Sequence, residues 1–253
     1  MPDAARHANR LLAALPDDEW TRLRSGAQTI PLVLGEVLCE QDTPTTAVYF
    51  PTTGAISAVT VTNEGGSVEG ILAGPEGAVG IAAAAGYLRT PWRLTVQAAG
   101  AALLVKPDAL EAALPLSPVL QRVLFRYSHA TQQLATQSIA CNRFHALPER
   151  TARWLLMILD RVGGSEVHIT QEFLAQMLGT HRPSTTVALA ALDQAGLIVR
   201  AGRGRIQVPD RAALQAAACE CYQRVVDEMN ASALSPYAGG ATPHRTLVAA
   251  PRT

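Results

Sequence analysis

Long apolar runs are missing from this chain: stretches such as 81–85 and 154–159 fall far short of the roughly 20 residues that a membrane-spanning helix needs. The first 20 residues set acids on both sides of a short apolar patch. They lack the basic-then-apolar layout of a secretory signal, so a cytoplasmic location with no membrane partner is expected. Cysteine is scarce. Cys39, Cys141, Cys219 and Cys221 are too few and too irregularly spaced for a disulfide framework or a Cys-x-x-Cys pair, and they are expected to be reduced thiols. Cys219 and Cys221, two apart on a helix, would point away from each other. The histidines (His7, His129, His145, His168, His181, His244) show no metal-ligand spacing, so neither a metal nor a resident cofactor is expected. A nucleophile elbow and a phosphate-binding loop are both absent, and Gly74, Gly77 and Gly80 read as loop glycines, so an enzyme is not expected.

Net charge is absent as well, but its distribution is uneven. Residues 1–140 hold nine Lys or Arg against twelve acids, whereas 141–211 hold nine Arg against six acids. A basic excess in the later segment is what a DNA-contacting domain needs, because neutralising phosphates supplies much of its affinity. A chain of 253 residues with 48% hydrophobic composition is long enough for about two globular domains.

At the amino end, 9–15 reads as a short helix stopped by Pro16, and Asp17, Asp18 and Glu19 suit the first turn of the next. From 28 to 105 the pattern turns to seven short apolar or alternating stretches: QTIPL, EVLCE, AVYF, GAISAVTVT, SVEGIL, RLTVQA and AALLV. Gly- and Pro-bearing turns divide them, which predicts a small antiparallel roll. Residues 117–142 contain no Gly, and no Pro after Pro118, so they form one long helix. Along it Leu120, Leu124, Tyr127, Thr131, Leu134 and Ser138 recur at spacings of four and three, the rhythm of a dimer seam, the alternative being a single helix that packs on its own barrel. The tail, 230–253, is rich in Ala, Ser, Pro and Gly and is expected to be disordered.

The function-bearing pattern lies between 170 and 208. Thr170 can cap a helix through Leu178, Gly179 supplies a left-handed turn, and a second helix begins at His181. Such a helix-turn-helix inserts its second helix into the major groove, with its first residues at the base edges. Arg182 is the candidate base reader, since a guanidinium can donate two bonds to guanine. His181, Ser184 and Thr185 join it on that face, the shorter Ser184 and Thr185 being alternatively phosphate contacts, as are Thr170 and Gln171 from the preceding helix. Val187, Ala190, Ala191, Leu192 and Leu197 are the expected inner face. Residues 199–208 form a hairpin whose Arg200, Arg203 and Arg205 make a basic wing.

From these stretches, together with GEVLCEQDTPTTAVYFPTTGAIS, GPEGAVGIAAAAG and CNRFHALPERTARWLL, the chain resembles the Crp/Fnr superfamily of bacterial transcription regulators over about residues 8–225. The resemblance implies an α+β protein. A cyclic-nucleotide-binding-like β-roll (8–115) is followed by a dimerisation helix and hinge (116–145) and a winged helix-turn-helix domain (146–225). It also implies a homodimer on an inverted repeat of double-stranded DNA, with RNA polymerase a further candidate partner. Nucleotide-binding members carry a Gly-Glu-x-x-Leu segment and an Arg-Ser or Arg-Thr pair. Here Gly77, Ala78 and Val79 stand in the first segment, with alanine for the glutamate, and Arg93 and Thr95 are taken for the second, its arginine displaced by about one position. Cyclic AMP is therefore not the expected effector. The clustered amino-terminal cysteines of oxygen-sensing members are missing, which excludes their iron–sulfur cluster. The competing reading is a sensor or adaptor that uses its carboxyl domain for protein contacts.

Overall fold

The computed structural model describes residues 2–202 and 204–232. Its sheet grows from the β-branched and alternating stretches: β1 (Ala27–Leu32), β2 (Val37–Cys39), β3 (Val48–Val61), β4 (Ser67–Ala73) and β5 (Arg93–Val105). Antiparallel pairing gives the order β1-β5-β3-β4, with β2 also on β5. Seven expected stretches became five strands because two pairs fuse across glycines. At Gly54, where φ is +75°, a Cβ would lie 2.5 Å from the Ala98 carbonyl oxygen, and one at Gly100 would lie 2.3 Å from that of Thr53. Without side chains at this crossing, β3 and β5 bend through bulges and stay paired instead of breaking.

Short helices close one end of the roll: α1 (Pro2–Ala8), α2 (Arg10–Ala13), α3 (Asp17–Arg24) and α4 (Pro107–Ala113). No cap or periodicity in the first residues had marked α1. Asn9 caps α2 through Oδ1 and donates from Nδ2 to the carbonyls of Pro51 and Gly77, at 2.8 and 2.9 Å, so one buried amide ties the cap to the roll. The long helix α5 (Pro118–Phe144) begins where the Glu19 carboxylate accepts from the amides of Val119 and Leu120 at 3.0 and 2.9 Å. A buried acid from α3 thus satisfies the positive end of α5.

The carboxyl domain contains α6 (Leu147–Val162), β6 (Glu166–His168), α7 (Gln171–Leu178), α8 (Arg182–Gln194), β7 (Val199–Arg200), β8 (Arg205–Gln207), α9 (Arg211–Ala217) and α10 (Cys221–Ser232). Of the tail expected at 230–253, residues 230–232 complete α10 and the rest lies outside the described residues.

One hydrophobic core runs from the roll through α5 into this domain. Two polar contacts fix the junction. Arg161 of α6 pairs with Glu76 at 2.7 Å, both side chains nearly buried, and Trp154 Nε1 donates to the Glu69 carboxylate of β4 at 3.1 Å. Burial pushes the Glu69 carboxyl up to about 7, against the lowering influence of the Ser57 hydroxyl, Arg161, Arg153 and Trp154.

Candidate nucleic-acid interface and roll cavity

Thr170 Oγ1 accepts from the Phe173 amide at 3.1 Å and so starts α7 as expected. Gly179 ends it at φ +61°, and a Cβ there would meet Val68 of β4 at 3.0 Å. The turn thus needs glycine both for its backbone and for its seat on the roll. Gln171 accepts from the Thr186 hydroxyl at 2.7 Å, which sets the angle between α7 and α8. The hairpin β7–β8 pairs onto β6 and stands beside α8.

Between the helices and the wing lies an open cleft of about 710 Å³ whose walls include Thr170, Gln171, Arg182, Arg200 and Arg205. Five of the nine residues read as DNA contacts therefore converge on one place. Arg200 is held there by Asp193 at 2.9 Å, whereas Arg182 and Arg205 are exposed and have no ion-pair partner among the described residues. His181 and Ser184 are exposed at the amino end of α8. Arg203 lies outside the described residues.

Thr185 is corrected by the structure: it is 0% exposed, and its hydroxyl turns back to the His181 carbonyl at 3.4 Å, so it packs α8 instead of meeting a ligand. The expected inner face is also rotated. Thr185, Ala188, Leu189 and Leu192 are buried, while Val187 is 70% exposed and Ala191 is exposed. Ser184, Val187 and Ala191, spaced by three and four, form the outer stripe of α8. Val187 offers a methyl-sized apolar contact that the sequence reading assigned to the core.

The roll encloses a cavity of about 380 Å³ between its sheet, the loop 78–92 and α5. Ala78 and Val79 line it; Gly77, Arg93 and Thr95 do not. Gly77 is buried against Tyr127, whose hydroxyl oxygen would lie 2.3 Å from a Cβ at that position, so this glycine makes room for a neighbour and not for a ligand. Arg93 faces outward to Glu40 at 2.8 Å, and Thr95 is buried in the sheet opposite Val37 and Ser57. The Arg-Thr pair at the cavity is Arg89–Thr90, four residues before the arginine chosen from the sequence. Arg89 donates to the Asp42 carbonyl at 2.8 Å. The lining is otherwise mostly apolar, including Ile71, Ile81, Trp92 and Leu94, and carries no carboxylate.

The predicted seam on α5 faces the wrong way for a second chain. Leu120, Leu124, Tyr127 and Leu134 are buried in the chain's own core, because the roll and α6 need that apolar stripe. Thr131 borders the roll cavity, and Ser138 accepts from Arg153 at 3.4 Å. The outward stripe is Gln121, Phe125, Ser128, Gln132, Ala135 and Ile139, also at four-three spacing, with Phe125 and Ile139 exposed by 78% and 71%. The cysteines depart from expectation too. Cys219 precedes α10 and is not on a shared helix with Cys221, and both approach Cys141 and His145.

Residues 149–217 match the Crp-like helix-turn-helix domain family. Solved structures that share the fold at low identity include the following three. FixK2 from Bradyrhizobium japonicum is 19% identical, with a TM-score of 0.65 over 76% of this chain and 97% of that one. A Crp/Fnr-family transcriptional regulator from Thermus thermophilus is 22% identical, with a TM-score of 0.62 over 76% and 98%. CLP of Xanthomonas campestris, a c-di-GMP responsive global regulator, is 14% identical, with a TM-score of 0.63 over 77% and 100%. No curated protein sequence matches the chain.

Proposed function

We propose that this chain, which carries a Crp-like helix-turn-helix domain on the fold of Crp/Fnr regulators, is a transcription regulator of that type that binds an inverted-repeat operator as a homodimer. The observation that carries this reading is the cleft between α8 and the wing. There Arg182 is free to meet base edges while Arg205, Thr170 and Gln171 flank it at positions suited to phosphates. The amino end of α8 carries no acid in its first turn; of the two carboxylates in the cleft wall, Asp193 is paired with Arg200 and Glu172 lies exposed in the first turn of α7.

The second copy would dock on the outward stripe of α5, where Phe125 and Ile139 supply the apolar contacts that water otherwise covers. A two-fold dimer presents two equal recognition helices, hence a near-palindromic site with half-sites about one helical turn apart.

The effector of the roll would be a mainly apolar organic anion whose charged group faces Arg89. A cavity without a carboxylate lacks the charged acceptor that holds a ribose hydroxyl pair, so cyclic AMP remains a poor fit even with the Arg-Thr pair in place. Ser128, Gln132 and Ala135 belong both to the cavity lining and to the outward stripe of α5, so a bound molecule and a docked partner would touch the same side chains. That sharing is a physical route from ligand to dimer geometry.

Selection of duplexes from a random pool with the purified chain tests the function. Enrichment of an inverted repeat is the expected result. A pool that stays random, with and without small organic anions, would overturn sequence-specific binding and favour the adaptor reading.

A further inference from the structure

Three buried cysteines and one histidine that neither the cleft nor the roll cavity uses meet at the joint between the long helix and the carboxyl domain. Cys141 lies in the last turns of α5 and His145 is the residue that ends it; their i, i+4 spacing sets both on one face. Cys219 stands in the short connection after α9, and Cys221 opens α10. Cys141 and Cys219 bring their Sγ atoms to 3.5 Å, and Cys221 Sγ lies 3.4 Å from His145 Nδ1. All four donor atoms fall within 4.8 Å of one another, and the three thiols are buried.

We propose that these residues form a structural Zn²⁺ site that staples the end of α5 to the α9–α10 junction. Zinc bonds of about 2.3 Å to sulfur and about 2.0–2.1 Å to nitrogen at tetrahedral angles set neighbouring donors about 3.8 Å apart for two sulfurs and about 3.5 Å for sulfur and nitrogen. The observed separations already approach those edges. Three thiolates and one imidazole complete a closed four-coordinate shell of the soft donors that zinc selects.

The outer contacts agree with this assignment. His145 Nε2 lies 3.1 Å from the Glu220 carboxylate, which fixes the ring with Nδ1 toward the sulfurs. Gln137 Nε2 donates to Cys221 Sγ at 2.9 Å, a bond that stabilises sulfur carrying negative charge. A shell of three thiolates around Zn²⁺ has a net charge of −1. Arg153 reaches Ser138, one turn before Cys141 on α5, and its Nε and Nη1 are buried without a hydrogen-bond partner among the described residues, so a guanidinium is at hand to balance that charge. A Cys141–Cys219 disulfide would use two of these donors and leave the convergence of Cys221 and His145 without a cause.

The site lies beside the 145–146 connection between α5 and α6 and shares no residue with the cleft at α8 and the wing, so metal binding and DNA binding have separate readouts. The test uses the full chain, reduced anaerobically and stripped with a chelator, and titrates it with Co²⁺ while visible absorption is followed. One equivalent should bind, with thiolate-to-cobalt charge transfer and the d–d bands of a tetrahedral ion, and Zn²⁺ should displace it. Cys39→Ser, in the roll, should leave the signal intact, whereas Cys141→Ser and Cys221→Ser should each reduce or shift it. A spectrum that stays flat through several equivalents, with circular dichroism still that of the folded chain, would overturn the proposal. So would an unchanged spectrum in folded Cys141→Ser, because the metal would then be bound elsewhere.

Discussion

The cleft at the wing and the cavity in the roll are assembled in different ways. Thr170, Arg182 and Arg205 come to the cleft from consecutive elements, each placed by a local device: the Thr170 cap, the Gly179 turn and the β7–β8 hairpin. The cavity gathers Ala58, Ile71, Ala78, Arg89, Trp92 and Tyr127 from strands β3 and β4, a long loop and the helix beyond them. Local devices leave a signature in sequence, whereas a lining drawn from distant segments does not. The two sites are joined by α5 and by the Glu76–Arg161 and Glu69–Trp154 contacts, so the comparison can be tested by disturbing each side and the joint between them.

The largest effect should come from α5. Phe125→Asp combined with Ile139→Asp places charge on the outward stripe without touching the inner one. The variant should run as a monomer in analytical ultracentrifugation. Its operator affinity should fall about 100-fold or more, as expected when a two-site contact becomes a one-site contact. A variant that stayed dimeric would move the interface elsewhere.

Gly77→Ala comes next and acts on the roll. The added methyl group would collide with Tyr127, and such overpacking typically costs about 1–3 kcal/mol, so thermal melting should begin several degrees lower. Were Gly77 instead part of a ligand cradle over open space, Tm would hardly move and only effector response would change.

Arg205→Ala should weaken binding equally on all duplexes and lower the slope of log K against log salt by about 0.9 for one lost phosphate contact. A change in base preference would make it a reader of sequence.

The joint should respond to pH. The Glu69 carboxyl in the folded chain titrates near 7, above the ordinary value of 4.5, so the folded state holds a proton that the unfolded chain has released. The stability this supplies is complete below about pH 4.5 and is lost as pH rises through about 7. Glu69→Gln should flatten the Tm profile across that window, and an unchanged profile would assign the dependence to other groups.

The smallest effect is expected from Thr185→Val, where a buried side chain is replaced by one of similar shape. DNA affinity should change less than about twofold, since the hydroxyl gives up only one modest internal hydrogen bond.

Much of this was legible in the residues alone, for physical reasons that differ from element to element. Pro118 and the run without glycine marked α5, and Thr170 with Gly179 marked the helix-turn-helix, because caps and turns are chemistry between near neighbours. Helical spacing on α5 marked two stripes equally well, and only the placement of the roll decides that Leu120, Leu124, Tyr127 and Leu134 face inward while Phe125 and Ile139 face out. The same ambiguity rotated the inner face of α8 and exchanged Thr185 with Val187. Arg89 was missed because the turn 89–92 holds no periodicity from which to read direction, so Arg93, on a strand, drew the assignment instead. Cys219 and Cys221 were read on one helix, where they would diverge; the break between α9 and α10 lets them converge on Cys141, a contact across more than seventy residues that spacing cannot show.

The measurement that bears most directly on the central claim is a parallel selection from one random duplex pool with the native chain and with Arg182→Ala. The native chain should enrich an inverted repeat. The variant should keep the spacing but relax at one base pair in each half-site, with a loss of about 1–3 kcal/mol on the native sequence, as for a lost bidentate contact to guanine. An identical motif and affinity from both proteins would contradict the account, because the amino end of α8 would then not be what reads the DNA.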